Sequence, residues 1–164
     1  MKKKVNVLFV CLGNICRSPL AEAIFKHKIK EKGLDDLIVS DSCGTSNYHI
    51  GSQPDPRTIA NATKNGIVIN HCGRQFSEDD FEKFDFILAM DNSNYRNILN
   101  LPGSERFRDK VSLMREFDPL EKGEVPDPYF GGEEGFQHVF EILNRTLENF
   151  INYLIAEKLK QLSS

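Results

Sequence analysis

The chain contains no apolar run near the roughly twenty residues that a membrane-crossing helix requires, so no bilayer span is expected in its 164 residues. The one candidate export signal, Met1 to Lys4 followed by Val5 to Leu12, is short, is interrupted by Asn6 and has no small-x-small cleavage site after it. The bulky Val10 ahead of Cys11 argues against a lipid-anchored cysteine. Basic residues are not in excess. Lys and Arg total 21 against 24 Asp and Glu, a formal charge of -3, which argues against a nucleic-acid surface, where a basic excess is the norm. Lys2 to Lys4 read as a solvated terminus. Neither a C-x-x-C pair nor a paired histidine spacing occurs, so no zinc site, and no other metal or cofactor, is expected. The four cysteines, at positions 11, 16, 43 and 72, are expected to stay reduced in a cytoplasmic protein, with Cys43 and Cys72 as small core residues. Internal repeats and linkers are absent as well. A single soluble domain over residues 1–164 is expected, large enough to bury a core without disulfide or metal.

What is present alternates in type. Val5 to Val10 is a continuous, β-branched apolar run, which suits a strand buried on both faces. Ser18 and Pro19 read as the cap and first residue of a helix with Leu20, Ala23, Ile24 and His27 on one face, ended by Gly33. A second strand is expected over Leu37 to Ser42, a loop through GTSNYHIGSQPDP, and a helix from Asp55-Pro56 to Gly66. Ser77 and Asp80 open a short helical piece. Phe84 to Met90 reads as a third strand, Asn92 to Leu101 as a helix and Val111 to Met114 as a short fourth strand. The stretch EFDPLEKGEVPDPYFGGEEG is expected to be a long loop, of a length that is often functional. Phe136 to Leu162 carries an apolar stripe at helical spacing. Strand and helix in alternation imply a four-stranded parallel sheet with helices on both faces, doubly wound and flavodoxin-like, with ligands collecting beyond the carboxyl ends of the strands.

Cys11 stands at one of those ends, in VLFVCLGNICRSP. Between Cys11 and Arg17 the chain turns from strand to helix, so the N–H groups of Leu12, Gly13, Asn14, Ile15, Cys16, Arg17 and Ser18 can converge on one anion, aided by the positive end of the helix dipole. Gly13 relieves the tight backbone, and the planar fork of Arg17 can hold two oxygens of a phosphate. The same field favours ionised sulfur at Cys11, the nucleophilic form. Ser18 can steady that sulfur, cap the helix, or both. A bare C-x5-R spacing says little; the preceding strand, internal glycine and Ser-Pro helix start make this one specific. A thiolate phosphatase also needs a proton donor, for which Asp127 in VPDPYF is the candidate, against the plain alternative of an Asp-Pro turn like Asp55-Pro56 or Asp118-Pro119.

VCLGNICRSP and PDPYF, together with DSCGTSNYHIG, DPRT, the His71 segment and FDFILAMD, resemble the low-molecular-weight protein tyrosine phosphatases over nearly the whole chain. The resemblance implies Cys11 as nucleophile, Arg17 and the loop amides as phosphate binders, and Asp127 as acid. It implies that Asn14 is strained and held by Ser42 and His71, with His71 otherwise an ordinary part-buried histidine. It also implies that Tyr48 and Tyr129, with Phe130 nearby, wall the mouth, and that Cys16 either protects an oxidised Cys11 as a disulfide partner or packs beneath the loop. Tyr48 departs from the tryptophan of many bacterial relatives, and Phe130 from the tyrosine of many eukaryotic ones. The implied substrate is a phosphotyrosine protein or small aryl phosphate, with inorganic phosphate released, no cofactor, and a monomer or weak dimer as the working unit. Two rivals are weaker. A thiol-linked arsenate reductase needs two further relay cysteines, and none follows Cys72. A phosphocarrier or oxyanion-binding module has no use for Asp127 and an aromatic mouth.

Overall fold

The computed structural model describes residues 4–159. Four strands, β1 (Val5–Cys11), β2 (Ile38–Gly44), β3 (Phe86–Ala89) and β4 (Val111–Leu113), form one parallel sheet in the order β2-β1-β3-β4. The central β1 pairs with β2 through Cys11 opposite Gly44 and with β3 through Val10 opposite Ala89. Its apolar run splits by parity: Val5, Val7, Phe9 and Cys11 enter one core cluster, Leu8 and Val10 the other. The first cluster is covered by α1 (Arg17–Glu31), α2 (Pro56–Lys64) and α5 (Glu133–Tyr153), the second by α3 (Asp79–Lys83) and α4 (Asn92–Leu99). This is the expected doubly wound α/β sheet, and it leaves Cys11 at the carboxyl edge of its central strand.

Local differences from the sequence reading have physical causes. Ser18 does not cap α1: the helix begins at Arg17 with Cys16 at the cap and no side-chain bond there, because the Ser18 hydroxyl is drawn inward to other partners. His27, expected on the inner face, is instead exposed and pairs with Glu31, its place taken by Phe25 and Ile29. The third strand is shorter than Phe84 to Met90, since Phe84 closes α3, and the long loop ends at Gly132, where Glu133 and Glu134 favour the positive end of α5. The α-helix gives way after Tyr153 to a wider turn over Leu154–Leu159, and the expected end at Leu162 lies outside the described residues. A 3-10 segment at Ser104–Lys110 had no signature in the sequence reading. Among the described residues, no helix is long and apolar enough to cross a membrane.

The loop after β4 is anchored by a buried ionic knot. Asp118, 4% exposed, accepts from Arg115 Nε at 2.8 Å, from Arg145 Nε at 3.0 Å and Nη2 at 3.1 Å, and from Leu120 N at 2.9 Å. Burial alone would raise this carboxyl, but Arg145, Arg115 and the Leu120 amide hold it well below the usual carboxylate range. Its folded pKa is depressed, so its contribution is complete above the unfolded value near pH 4 and is lost as pH falls from there. Asp118→Asn is expected to lower the unfolding free energy by about 1–3 kcal/mol at neutral pH, because the charged acceptor of the Arg115 and Arg145 bonds is lost while Arg115 keeps Glu121 and the Arg145 side chain keeps access to water. In urea unfolding the gap from the parent protein should narrow below pH ~4; a gap independent of pH would rule out the ionic origin.

Candidate active site

The segment from Leu12 to Cys16 wraps a turn at the end of β1 and feeds α1. Among the described residues, no N–H group of residues 12–16 donates to a protein acceptor. Such groups, with the orphan amides of the first turn of α1, line a cradle for an anion. Gly44 brings β2 against this loop: a Cβ there would meet Leu12 O at 2.6 Å and Asn14 N at 3.1 Å, so only glycine permits the approach.

Asn14 adopts φ 57, the one positive value at a non-glycine residue among those described. Four contacts hold it there. Its Nδ2 donates to Ser18 Oγ at 2.8 Å and Ser42 Oγ at 3.1 Å; its Oδ1 accepts from Arg74 N at 3.1 Å and from His71 Nε2 at 2.7 Å. Because the Arg74 amide can only donate, Oδ1 is the acceptor, and His71 carries a proton on Nε2. The Ser42 hydroxyl in turn donates to Glu22 Oε1 at 2.7 Å, which also lies 3.2 Å from His71 Nδ1, while Lys26 pairs with the other Glu22 oxygen. Arg74 is tied to Asp41 at 2.9 Å and to both oxygens of Asp80 at 3.0 and 3.1 Å. Asn14, Ser18, Ser42 and His71 therefore come together beneath the loop. The side chains of Asn14 and Ser18 are buried, so what these two residues can offer the cavity is backbone N–H. Glu22, Asp41 and His71 also bring three possible metal ligands within 4.8 Å of one another, yet their oxygens are already engaged by Ser42, Lys26 and Arg74.

Cys11 is 3% exposed, and its Sγ lies 3.0 Å from Ser18 Oγ. Asn14 supplies a donor to that hydroxyl, leaving the Ser18 proton for the sulfur or for the Cys43 carbonyl at 3.3 Å. Arg17 is buried and doubly held: Nη1 donates to Asp91 Oδ2 at 2.8 Å and to Val125 O at 2.9 Å, and Nη2 lies 3.8 Å from Asp127 Oδ2. Burial opposes its charge, but Cys11, Asp91 and Asp127 outweigh it and raise the guanidinium above its ordinary value. Asp91 was not singled out by sequence reasoning. The signal was a carboxylate two residues past β3, which caps α4 through Asn94 N at 2.8 Å with one oxygen and orients Arg17 with the other.

Above the loop is a cavity of about 270 Å³, floored by Cys11, Leu12, Gly13, Ile15, Cys16 and Arg17 and walled by Tyr48, His49, Asp127, Tyr129 and Phe130. The Asp127 side chain is 48% exposed and bonds Tyr129 N at 3.0 Å, so its Asp-Pro turn and its place in the cavity coexist. His49, also unforeseen, stands over Gly13, where a Cβ would come 3.0 Å from its ring. Tyr129 and Phe130 meet edge to face, centroids 4.9 Å apart. Cys16 lines the floor as a free thiol, and burial pushes it up to about 12. Cys43 is buried as expected, but Cys72 is exposed rather than a core residue: it lies in the irregular segment between α2 and α3, where His71 and Gly73 on either side turn inward.

Residues 6–161 match the family model of low molecular weight phosphotyrosine protein phosphatase. The chain belongs to this family. It is 47% identical over 155 residues to the Schizosaccharomyces pombe low molecular weight phosphotyrosine protein phosphatase, covering 92% of this chain and 97% of that one. A solved Entamoeba histolytica protein tyrosine phosphatase superposes with a TM-score of 0.90 at 42% identity, covering 94% of this chain and 99% of the other. A solved Drosophila arginine phosphatase superposes with a TM-score of 0.81 at 35% identity, over 90% of this chain and 96% of that one. As a member, the chain is a phosphoric monoester hydrolase of the protein-tyrosine-phosphatase class.

Proposed function

We infer that this phosphatase hydrolyses aryl phosphate monoesters, phosphotyrosine in proteins among them, through a phosphocysteine at Cys11. The observation that carries the reading is the meeting of these parts in one cavity: the Cys11 sulfur and Arg17, the unpaired loop amides, and the Asp127 carboxyl 3.8 Å from Arg17. The sulfur attacks phosphorus, the bond from phosphorus to the tyrosyl oxygen breaks, and Asp127 delivers its proton to that oxygen as it leaves. Charge on the three equatorial oxygens is met by Arg17 and the amides. Water then attacks the cysteinyl phosphate, gives its proton to Asp127, and phosphate departs with the sulfur restored as thiolate.

The cavity wall favours an aryl over a guanidinium leaving group. Leu12, Ile15, Tyr48, Tyr129 and Phe130 offer faces and edges to a ring, whereas a phosphorylated arginine brings several N–H donors for which Asp127 is the one carboxylate on the wall. The arsenate-reductase reading has less support, since Cys43 is buried and neither it nor Cys72 lines the cavity. The deciding experiment compares kcat/KM for a phosphotyrosine peptide, a phosphoserine peptide and a phosphoarginine peptide. Phosphotyrosine should lead by at least about 100-fold, a margin in keeping with pockets built for one group; parity with phosphoarginine would defeat the aryl assignment.

Cys16 is read as the guard of Cys11. Hydrogen peroxide converts the Cys11 thiolate to a sulfenic acid, and the Cys16 thiol condenses with it to a disulfide, releasing water. This chemistry suits a reducing, cytoplasmic setting, where thiols reopen the bond. After brief peroxide exposure, dithiothreitol should restore most activity to the parent protein and little to Cys16→Ser. Equal recovery would remove the guard role.

A further inference from the structure

We propose that Arg57 is a positioning residue that holds the acid-bearing tip, residues 126–130, over the phosphate-binding loop. This rests on the reading of Asp127 as the proton donor.

The tip has little else to hold it. Val125 is fastened at its base through N to Met90 O at 2.8 Å and through O to Arg17 at 2.9 Å. Beyond it, among the described residues, the hydrogen bonds of residues 126–131 stay within the tip: Tyr129 N to Asp127 Oδ1 and Gly131 N to Pro128 O. The Arg17 contact at 3.8 Å is the one ion pair, and it belongs to the reacting groups themselves. Between α2 and the start of α5 lies a hollow of about 380 Å³ bordered by Arg57, Asn61, Lys64, Glu133 and Phe136.

Arg57 spans this gap. Its guanidinium carbon sits 5.3 Å from the Tyr129 ring centroid and 4.8 Å from that of Phe136, gripping the tip on one side and the first turn of α5 on the other. Its other connection runs to the catalytic floor. Nε and Nη2 form a fork on Asp55 at 3.1 and 2.8 Å, and the Asp55 amide donates to Ile15 O, inside the phosphate-binding loop, at 2.8 Å. A cation in the first turn of α2 opposes the helix dipole, so helix stability alone does not call for arginine here. The Asp55 carboxylate answers its charge, and the two rings it meets give the guanidinium a second set of contacts. Asp55 and Arg57 thus join the loop that binds phosphate to the loop that carries the proton, which fixes the height of Asp127 above Cys11.

The test reads kcat/KM for phenyl phosphate, a poor leaving group, and p-nitrophenyl phosphate, a good one, at a temperature where circular dichroism shows every variant folded. Arg57→Met should lose about fivefold on phenyl phosphate and less than about twofold on p-nitrophenyl phosphate, the scale of one exposed cation–π contact acting through Asp127. Arg57→Lys should recover part of the loss. Arg57→Gln, which can still bond Asp55 but puts no cation on the rings, should repeat the selective loss and serves if the methionine variant does not fold. In an Asp127→Asn background, Arg57→Met should add nothing. Equal losses on both substrates, or an undiminished loss in the Asp127→Asn background, would show that Arg57 only supports α2 and would overturn the proposal. If Asp127→Asn itself lost both substrates equally, the acid reading would fall, and the proposal with it, by a result that does not involve Arg57.

Discussion

Cys11→Ser is expected to abolish turnover of phenyl phosphate, by at least about 10⁴-fold, while inorganic phosphate still binds. The two halves of this result come from different atoms. Phosphate is met by the amides of the loop and by Arg17, and none of these changes when oxygen replaces sulfur. Turnover needs a nucleophile that is already anionic. A serine hydroxyl holds its proton, and the one side chain bonded to Cys11 is Ser18, another hydroxyl and not a base. Activity measured alongside calorimetric titration with phosphate checks both halves. Retained turnover would remove Cys11 as nucleophile, and lost phosphate binding would mean that the variant has disturbed the cradle.

Asp127→Asn is expected to lower kcat/KM for phenyl phosphate by about 10²- to 10⁴-fold and for p-nitrophenyl phosphate by much less, because a good leaving group departs without a proton. Asparagine matches the size of the carboxyl and still accepts from Tyr129 N, so the turn survives and the proton is what is lost. Half exposure suits the role, since the carboxyl can exchange protons with water between the two steps. A loss of the same size on both substrates would assign Asp127 to the turn alone. Of the possible confounding changes, a shift of Arg17 is the one to monitor, as Asp127 is one of its carboxylate neighbours; the Asp91 bond at 2.8 Å should keep it in place.

Much of this was open to reading in the chain. The run from Val5 to Val10 announced a strand buried on both faces, and each residue's parity chose its side of the sheet. Asp55-Pro56 announced a helix start, and the Asp55 side chain does accept from Arg57 N. Of the two readings of Ser18, the contact with the Cys11 sulfur holds and the helix cap does not: a serine before a proline has a strong local preference for capping, but once β1 and α1 pack together its hydroxyl meets the sulfur seven positions earlier. Cys72 misled because cysteine is usually buried, and nothing local says that His71 and Gly73 on either side turn inward instead. Glu22 was hidden for a similar reason: a charged residue in an amphipathic helix reads as solvated until Ser42, His71 and Lys26 converge on it.

The amino-acid order by itself determined the alternation of strands and helices, the anion-binding turn after the first strand and the presence of a thiol within it, because these depend on residues within a few positions of one another. Only the packed fold decided which carboxylates serve Arg17, what restrains Asn14 at φ 57, and how Arg57 reaches the ring of Tyr129. Those contacts join segments far apart in the chain, and their distances exist only once the parallel sheet has brought its carboxyl edge together.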